Sequence, residues 1–113
     1  NKLYMIGCIN DQIVTTLNFS GGIRSRIKHR GEFGLSVRKQ YWGLGIGSLM
    51  IDALIKWVND NNIIKKINLR VRSDNIRAIE LYQRKGFIIE GTIQKEIFFD
   101  GKYFDLHWMG LEL

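Results

Sequence analysis

Residues 41–57 read YWGLGIGSLMIDALIKW, with Gly43, Gly45 and Gly47 alternating just ahead of a strongly apolar run. Glycine has no Cβ, so a ligand can approach the main chain closely there. The first N–H groups of a helix have no intrahelical partner, and the helix dipole leaves that end positive. Residues Trp42, Gly43, Leu44, Gly45, Ile46, Gly47 and Ser48 therefore read as a cradle of backbone donors, with the Ser48 hydroxyl in the first turn, and the matching chemistry is phosphate binding. Two familiar phosphate loops do not fit. A P-loop needs a Lys before the Ser or Thr that follows its last glycine, whereas Ser48 follows Gly47 directly. A dinucleotide fingerprint needs a third glycine one place later and an acid after the next strand, where this chain has Arg70 and Arg72. On the glycines alone, a tight strand-to-helix turn without a ligand stays equally open.

Other side chains could do chemistry. Glu32 opens an alternating segment and is a candidate base, or a solvent-facing strand residue. Asn75 can cap a helix or hydrogen-bond a ligand. Tyr82 is a phenol that can donate a proton, or a core aromatic. His29, Glu96, Asp105 and His107 are lesser acid–base candidates. The two histidines share no ligand spacing with each other or with Cys8, so no metal is expected. Cys8 lies in an apolar run and reads as a buried small hydrophobe.

These residues need elements to hold them. Tyr4–Ile9 and Ile13–Phe19, separated by Asn10-Asp11-Gln12, read as a hairpin. Phe33, Leu35 and Val37 alternate with Glu32, Gly34 and Ser36 as a strand. Ile46, Leu49, Met50, Ala53, Leu54, Trp57 and Val58 recur at helical spacing, and Ile63–Arg72 follows as a strand. Ser73-Asp74-Asn75 starts a second helix that carries Ala78, Ile79 and Tyr82 on one face, with Gly86 just past its end. Asp100-Gly101 marks a two-residue hairpin turn between Thr92–Phe99 and Lys102–Leu111. The order is β-β-β-α-β-α-β-β. The fold class is α/β (α+β): a mixed, mostly antiparallel sheet around a parallel β-α-β crossover from Glu32 to Arg72.

At 113 residues the chain suits one domain, spanning 1–113. Hydrophobic residues at 45% and charged residues at 25% are ordinary for a globular protein. No apolar run approaches the roughly 20 residues that span a bilayer, so no membrane role is expected. No signal peptide is visible, and the single cysteine fits a reducing, cytoplasmic setting. The net charge of +6 attracts anions. The cluster Arg24, Arg26, Lys28, His29 and Arg30 reads as the solvated face of an extended segment. Without interleaved aromatics, it does not indicate nucleic acid.

Two stretches carry a further signal. SVRKQYWGLGIGSLMIDALI, followed by LRVRSDNIRAIELYQRKGF, resembles the GNAT superfamily of N-acetyltransferases. The first is similar to its acetyl-CoA motif [Q/R]-x-x-G-x-[G/A], with Trp42 taken as standing where that motif has Gln or Arg. The second is similar to N-x-x-A-I-x-L-Y-x-x-x-G-F through Asn75, Ala78, Ile79, Leu81, Tyr82, Gly86 and Phe87. The tail DGKYFDLHWMGLEL resembles the family's last hairpin. The resemblance implies acetyl-CoA as cofactor and acetyl transfer to a primary amine of a small molecule or protein, by direct attack in a ternary complex. It implies pyrophosphate on the N–H groups of Gly43 to Ser48 and the pantetheine arm along Leu35, Ser36 and Val37, with an N–H near Val37 facing the reacting carbonyl. It further implies an Asn75 contact to that arm, Tyr82 as general acid and Glu32 as candidate base. Family members often dimerise, so a homodimer is admitted. The strand and helices that usually precede the first hairpin have no counterpart here, so an N-terminally incomplete fold is expected. A non-catalytic CoA-binding module, or part of a heteromer, is the alternative.

Overall fold

The computed structural model describes residues 2–113. Strands β1 (Lys2–Ile9), β2 (Gln12–Gly21), β3 (Arg30–Val37), β4 (Lys66–Arg72), β5 (Ile88–Phe99) and β6 (Lys102–Glu112) form one sheet in the order β1-β2-β3-β4-β6-β5. Helix α1 (Ile46–Asn59) joins β3 to β4, and α2 (Ile76–Arg84) joins β4 to β5. Among the described residues only β3 and β4 run parallel; the other neighbours are antiparallel. The expected element order and mixed sheet are both present. The two hairpin turns use left-handed pairs, Asn10 and Asp11 (φ 50° and 64°) and Asp100 and Gly101 (φ 53° and 73°). Such pairs match the twist of the strands they join.

One sheet face is apolar and carries both helices. Leu17 and Phe19 of β2, Phe33 of β3, Ile67, Leu69 and Val71 of β4 and Met109 of β6 meet Ile51, Leu54 and Val58 of α1 and Ile79 and Tyr82 of α2. Gly31 makes room: a Cβ there would collide with the Phe19 ring. The opposite face carries no helix among the described residues, and its β3 and β4 positions are polar or small: Glu32, Gly34, Ser36, Asn68, Arg70 and Arg72.

Three expectations need correction. Cys8 is exposed, because β1 is an edge strand whose alternation turns Leu3 and Met5 to the core and Cys8 away. Residues 22–29 form a series of turns rather than an extended segment, closed by Gly22 N–H donating to the Arg30 carbonyl at 2.9 Å. Leu49 and Ala53 lie outside the core, with Leu49 69% exposed. At about 100° per residue, Leu49 falls almost opposite Ile51, Leu54 and Val58. Helix α1 is apolar over most of its circumference, so periodicity alone could not locate the centre of its buried face.

Candidate functional site

Pairing between β3 and β4 covers only Arg30↔Lys66, Gly31↔Ile67 and Glu32↔Asn68. Beyond it β3 stays with β2 as far as Val37, and β4 stays with β6 as far as Arg72. The sheet thus opens into a wedge between residues 33–37 and 69–72. Arg38 N–H donates to the Val14 carbonyl at 2.8 Å, and the Ser36 carbonyl accepts the Thr15 hydroxyl at 2.8 Å. Both Ser36 and Arg38 therefore direct their backbone toward β2. Strand alternation turns the N–H and C=O groups of Leu35 and Val37 into the wedge. Of the expected trio, Leu35 and Val37 present backbone groups there and Ser36 does not.

The glycine stretch lies between β3 and α1. Gly43 and Gly45 are left-handed, at φ 80° and 81°, conformations that suit only glycine readily. Gly45 caps α1 with no side-chain hydrogen bond, and the first helical bond runs from Leu49 N–H to the Gly45 carbonyl at 3.1 Å. Among the described residues, no N–H from Gly43 to Ser48 donates to a protein acceptor. That leaves six adjacent donors at the positive end of a 14-residue helix. The glycines divide the work. A Cβ on Gly45 would meet nothing within 4 Å, whereas one on Gly47 would sit 3.2 Å from Leu81 Cδ2 and 3.6 Å from Leu35 Cδ2. Gly45 keeps the cradle open. Gly47 lets α1 approach β3 and α2, a packing role the sequence reading did not separate.

Trp42 is half-exposed at 49%, and its indole N–H donates to the Val37 carbonyl at 2.8 Å. It is not the family motif's Gln or Arg position. Gln40 stands three residues before Gly43 and fills that spacing, in the 3₁₀ turn Lys39–Tyr41. Leu44 is exposed beside the loop, and Ile46 and Ser48 are half-buried.

Asn75 caps α2, its Oδ1 accepting Ala78 N–H at 3.3 Å, which leaves its amide N–H groups available. Tyr82 lies two turns along, packed edge-on against Phe33 at 5.8 Å and Phe87 at 6.0 Å. Burial pushes its phenol above the usual value of 10, which holds the group protonated through neutral pH.

Glu32 lies on the helix-free face, bound to Arg70 Nε at 2.5 Å. The Arg70 guanidinium also sits 5.3 Å from the Trp108 ring centroid. Glu32 and Arg70 line a cleft of about 670 Å³ with Arg30, Phe33, Glu96 and Leu106 among its walls. Phe33 belongs to both the cleft and the Tyr82 cluster, so the two sides of the sheet meet at the base of the wedge. Glu96 reaches the cleft from a bulge in β5 between Ile93 and Ile97, held by Lys95 N–H donating to Asp105 Oδ1 at 3.0 Å. His107 Nδ1 is 2.8 Å from Thr92 Oγ1. His29 lies in the turns before β3 and does not line the cleft. No metal-binding cluster occurs among the described residues. The sequence reading missed Arg70 and Arg77 as site neighbours. Arg70 was legible only as the polar phase of β4, and Arg77 only as an unpaired cation beside Asn75.

The Acetyltransferase (GNAT) family profile matches residues 2–87. The chain is 30% identical over 105 residues to L-amino acid N-acetyltransferase AaaT of Escherichia coli, covering 93% of this chain and 65% of that protein. It is 29% identical over 83 residues to a spermidine N(1)-acetyltransferase of Vibrio cholerae, covering 74% of this chain and 48% of that one. It thus spans about half to two thirds of these relatives' lengths. A GNAT-family acetyltransferase from Streptococcus pneumoniae superposes with TM-score 0.96 at 31% identity, over 100% of this chain and 68% of that chain. An acetyltransferase from Salmonella typhimurium solved with its cofactor acetyl-CoA shares the fold at TM-score 0.89 and 19% identity, over 97% of this chain and 64% of that chain. By its matched sequence and its fold, the chain belongs to the GNAT family of acetyltransferases.

Proposed function

We propose that this chain binds acetyl-CoA and transfers its acetyl group to a primary amine. The observation that carries the reading is the run of unpartnered amides from Gly43 to Ser48, set beside a sheet wedge lined by the backbone of Leu35 and Val37. The donor set fits the group. A pyrophosphate needs several converging N–H donors and a positive field, and the loop supplies both without a side chain in the way. Acetyl-CoA supplies the thioester acetyl group.

The protein's own residues then have distinct tasks. The N–H groups of Leu35 and Val37 can pair with an extended amide arm as a sheet edge does, and can stabilise negative charge developing on a carbonyl oxygen. One such donor contributes about 3 kcal/mol of barrier lowering. Tyr82 holds a proton for a departing thiolate. Asn75 directs its amide N–H groups to the arm while its oxygen caps α2. Glu32, oriented by Arg70, accepts the proton of an incoming ammonium. The acceptor occupies the helix-free cleft. There Arg30 and Arg70 accompany Glu32 and Glu96, and this mixture of signs fits an amine that also bears a carboxylate better than a polyamine. One relative is named for L-amino acids and another for spermidine.

Calorimetric titration with CoA and acetyl-CoA, followed by thiol-release assays over amino acids and polyamines, tests this. Micromolar binding with turnover of amino acids is expected. Folded protein that binds neither coenzyme form overturns the proposal, and turnover of polyamines alone overturns its acceptor half.

A further inference from the structure

We infer that Arg77 and Trp42 form a side-chain arm of the phosphate cradle, the guanidinium contacting the coenzyme diphosphate; this rests on the coenzyme reading above. The guanidinium lies 5.0 Å from the Trp42 ring centroid. Its Nη2 is 3.6 Å from the place where a Gly43 Cβ would be, so it overhangs the first residue of the unpaired amide run.

Arg70 pairs with Glu32, Arg72 with Asp74, Lys66 with Glu90 and Lys85 with Asp52, while Arg77 makes no ion pair among the described residues. Its position is also unfavourable without an anion. Arg77 is the second residue of α2, whose first turn holds no acid, so the guanidinium faces the positive end of the helix dipole. Of the two acids three residues away, Asp74 is taken by a two-pronged pair with Arg72 at 3.0 and 2.8 Å, and Glu80 makes no ion pair with Arg77 among the described residues. A bound diphosphate would supply the missing counter-charge and offset the helix dipole at once.

Trp42 supplies the rigidity. Its indole N–H is fixed to the Val37 carbonyl, so the ring is tied to the last residue of the wedge strand and presents a flat platform to Arg77. Arginine suits the role better than lysine, because its planar fork can stack on the ring and still direct N–H groups at phosphate oxygens. The platform also accounts for a tryptophan left 49% exposed.

The test is titration of intact protein variants with CoA and with dephospho-CoA, which lacks the 3′-phosphate but keeps the diphosphate. Arg77→Ala should weaken both by about tenfold while leaving the ligand-free melting temperature unchanged or raised, since a cation leaves a helix start. Arg77→Lys should cost about threefold. Trp42→Phe should fall between wild type and Trp42→Ala, which loses ring and anchor together. Inorganic pyrophosphate should compete with CoA less well in Arg77→Ala. Unchanged affinity in Arg77→Ala, or a loss seen with CoA and not with dephospho-CoA, overturns the assignment. Gly45→Glu separates the two levels. If it abolishes CoA binding while Arg77→Ala does nothing, only this inference falls; if it too has no effect, the coenzyme reading falls with it.

Discussion

The two sides of the wedge are built from different materials. On the loop side, the binding groups are main-chain amides placed by two left-handed glycines and a helix start. On the cleft side, they are side chains brought together from β3, β4 and β5, and the central pair, Glu32 and Arg70, are 38 residues apart in sequence. A backbone site depends on local conformation, so a few adjacent residues determine it. A side-chain site depends on register, so a shift anywhere in the sheet can dismantle it. The first should fail abruptly when a single Cβ carries bulk and charge into it, and the second should degrade by degrees.

The sharpest way to break this contrast is a pair of glycine variants. Gly45→Glu introduces a carboxylate into space that is empty of protein atoms but puts a side chain on a left-handed backbone, so it should cost about 1–2 kcal/mol of stability while CoA affinity falls by at least about a hundredfold through lost access and charge repulsion. Gly47→Val instead drives a side chain toward Leu81 and Leu35, and should cost about 1–3 kcal/mol of stability as overpacking. Denaturant melts and titrations on both proteins decide it. Equal loss of CoA affinity in the two would show that the glycines do not divide their roles as described.

Tyr82 tests where the two sides meet. Tyr82→Phe keeps the ring against Phe33 and Phe87 and removes the proton, so kcat should drop by about a hundredfold with CoA affinity little changed. Burial raises this phenol, and the sign follows for pH. The neutral form is the one the fold favours, so its contribution to stability is complete below about 10 and is lost as pH rises through the raised folded value. Activity that depends on the protonated phenol should persist to a more alkaline pH than a free tyrosine would allow. An alkaline limb in kcat below the free-tyrosine value would remove Tyr82 from the acid role.

The same division explains what could be read from the chain. The left-handed glycines of the loop, the Asn75 cap and the Asp100-Gly101 turn are all local patterns, and all are present, while the parallel crossover follows from the strand–helix–strand order. The β3–β4 wedge has no local signature, because nothing in either strand's own sequence says where their pairing stops. Cys8 and Leu49 were misjudged because strand position within the sheet and the centre of a nearly all-apolar helix are tertiary facts. The Arg70–Glu32 pair and the Glu96 bulge needed cross-strand register, which one sequence does not print.

On the cleft side, Arg70→Ala should raise the KM for a carboxylate-bearing amine by about tenfold, since a charge-assisted contact is lost. It should leave CoA affinity unchanged, because Arg70 lies on the face away from the loop. A Glu32→Gln variant should lower kcat more than it raises KM. If Arg70→Ala weakens CoA and amine alike, the two sides are not independent and the contrast between them fails.

The smallest effect belongs to the network that sets the register of the cleft. Asn68, almost fully buried, donates to Glu90 Oε1 at 2.8 Å and to the Met109 carbonyl at 3.1 Å, while Lys66 pairs with Glu90 Oε2 at 2.8 Å. Lys66, and then Asn68, hold the Glu90 carboxyl below its usual range. Its folded value is depressed, so the stability it contributes is present above about pH 4.3 and fades as pH falls through the lowered value. Glu90→Gln should therefore cost about 1 kcal/mol or less at neutral pH, with the difference from wild type shrinking in acid. Because Glu90 joins β4 to the β5–β6 hairpin and touches no part of the glycine loop, the loss should appear as a raised amine KM with coenzyme affinity intact. A change confined to coenzyme affinity would mean that the register of β4 governs the backbone cradle as well.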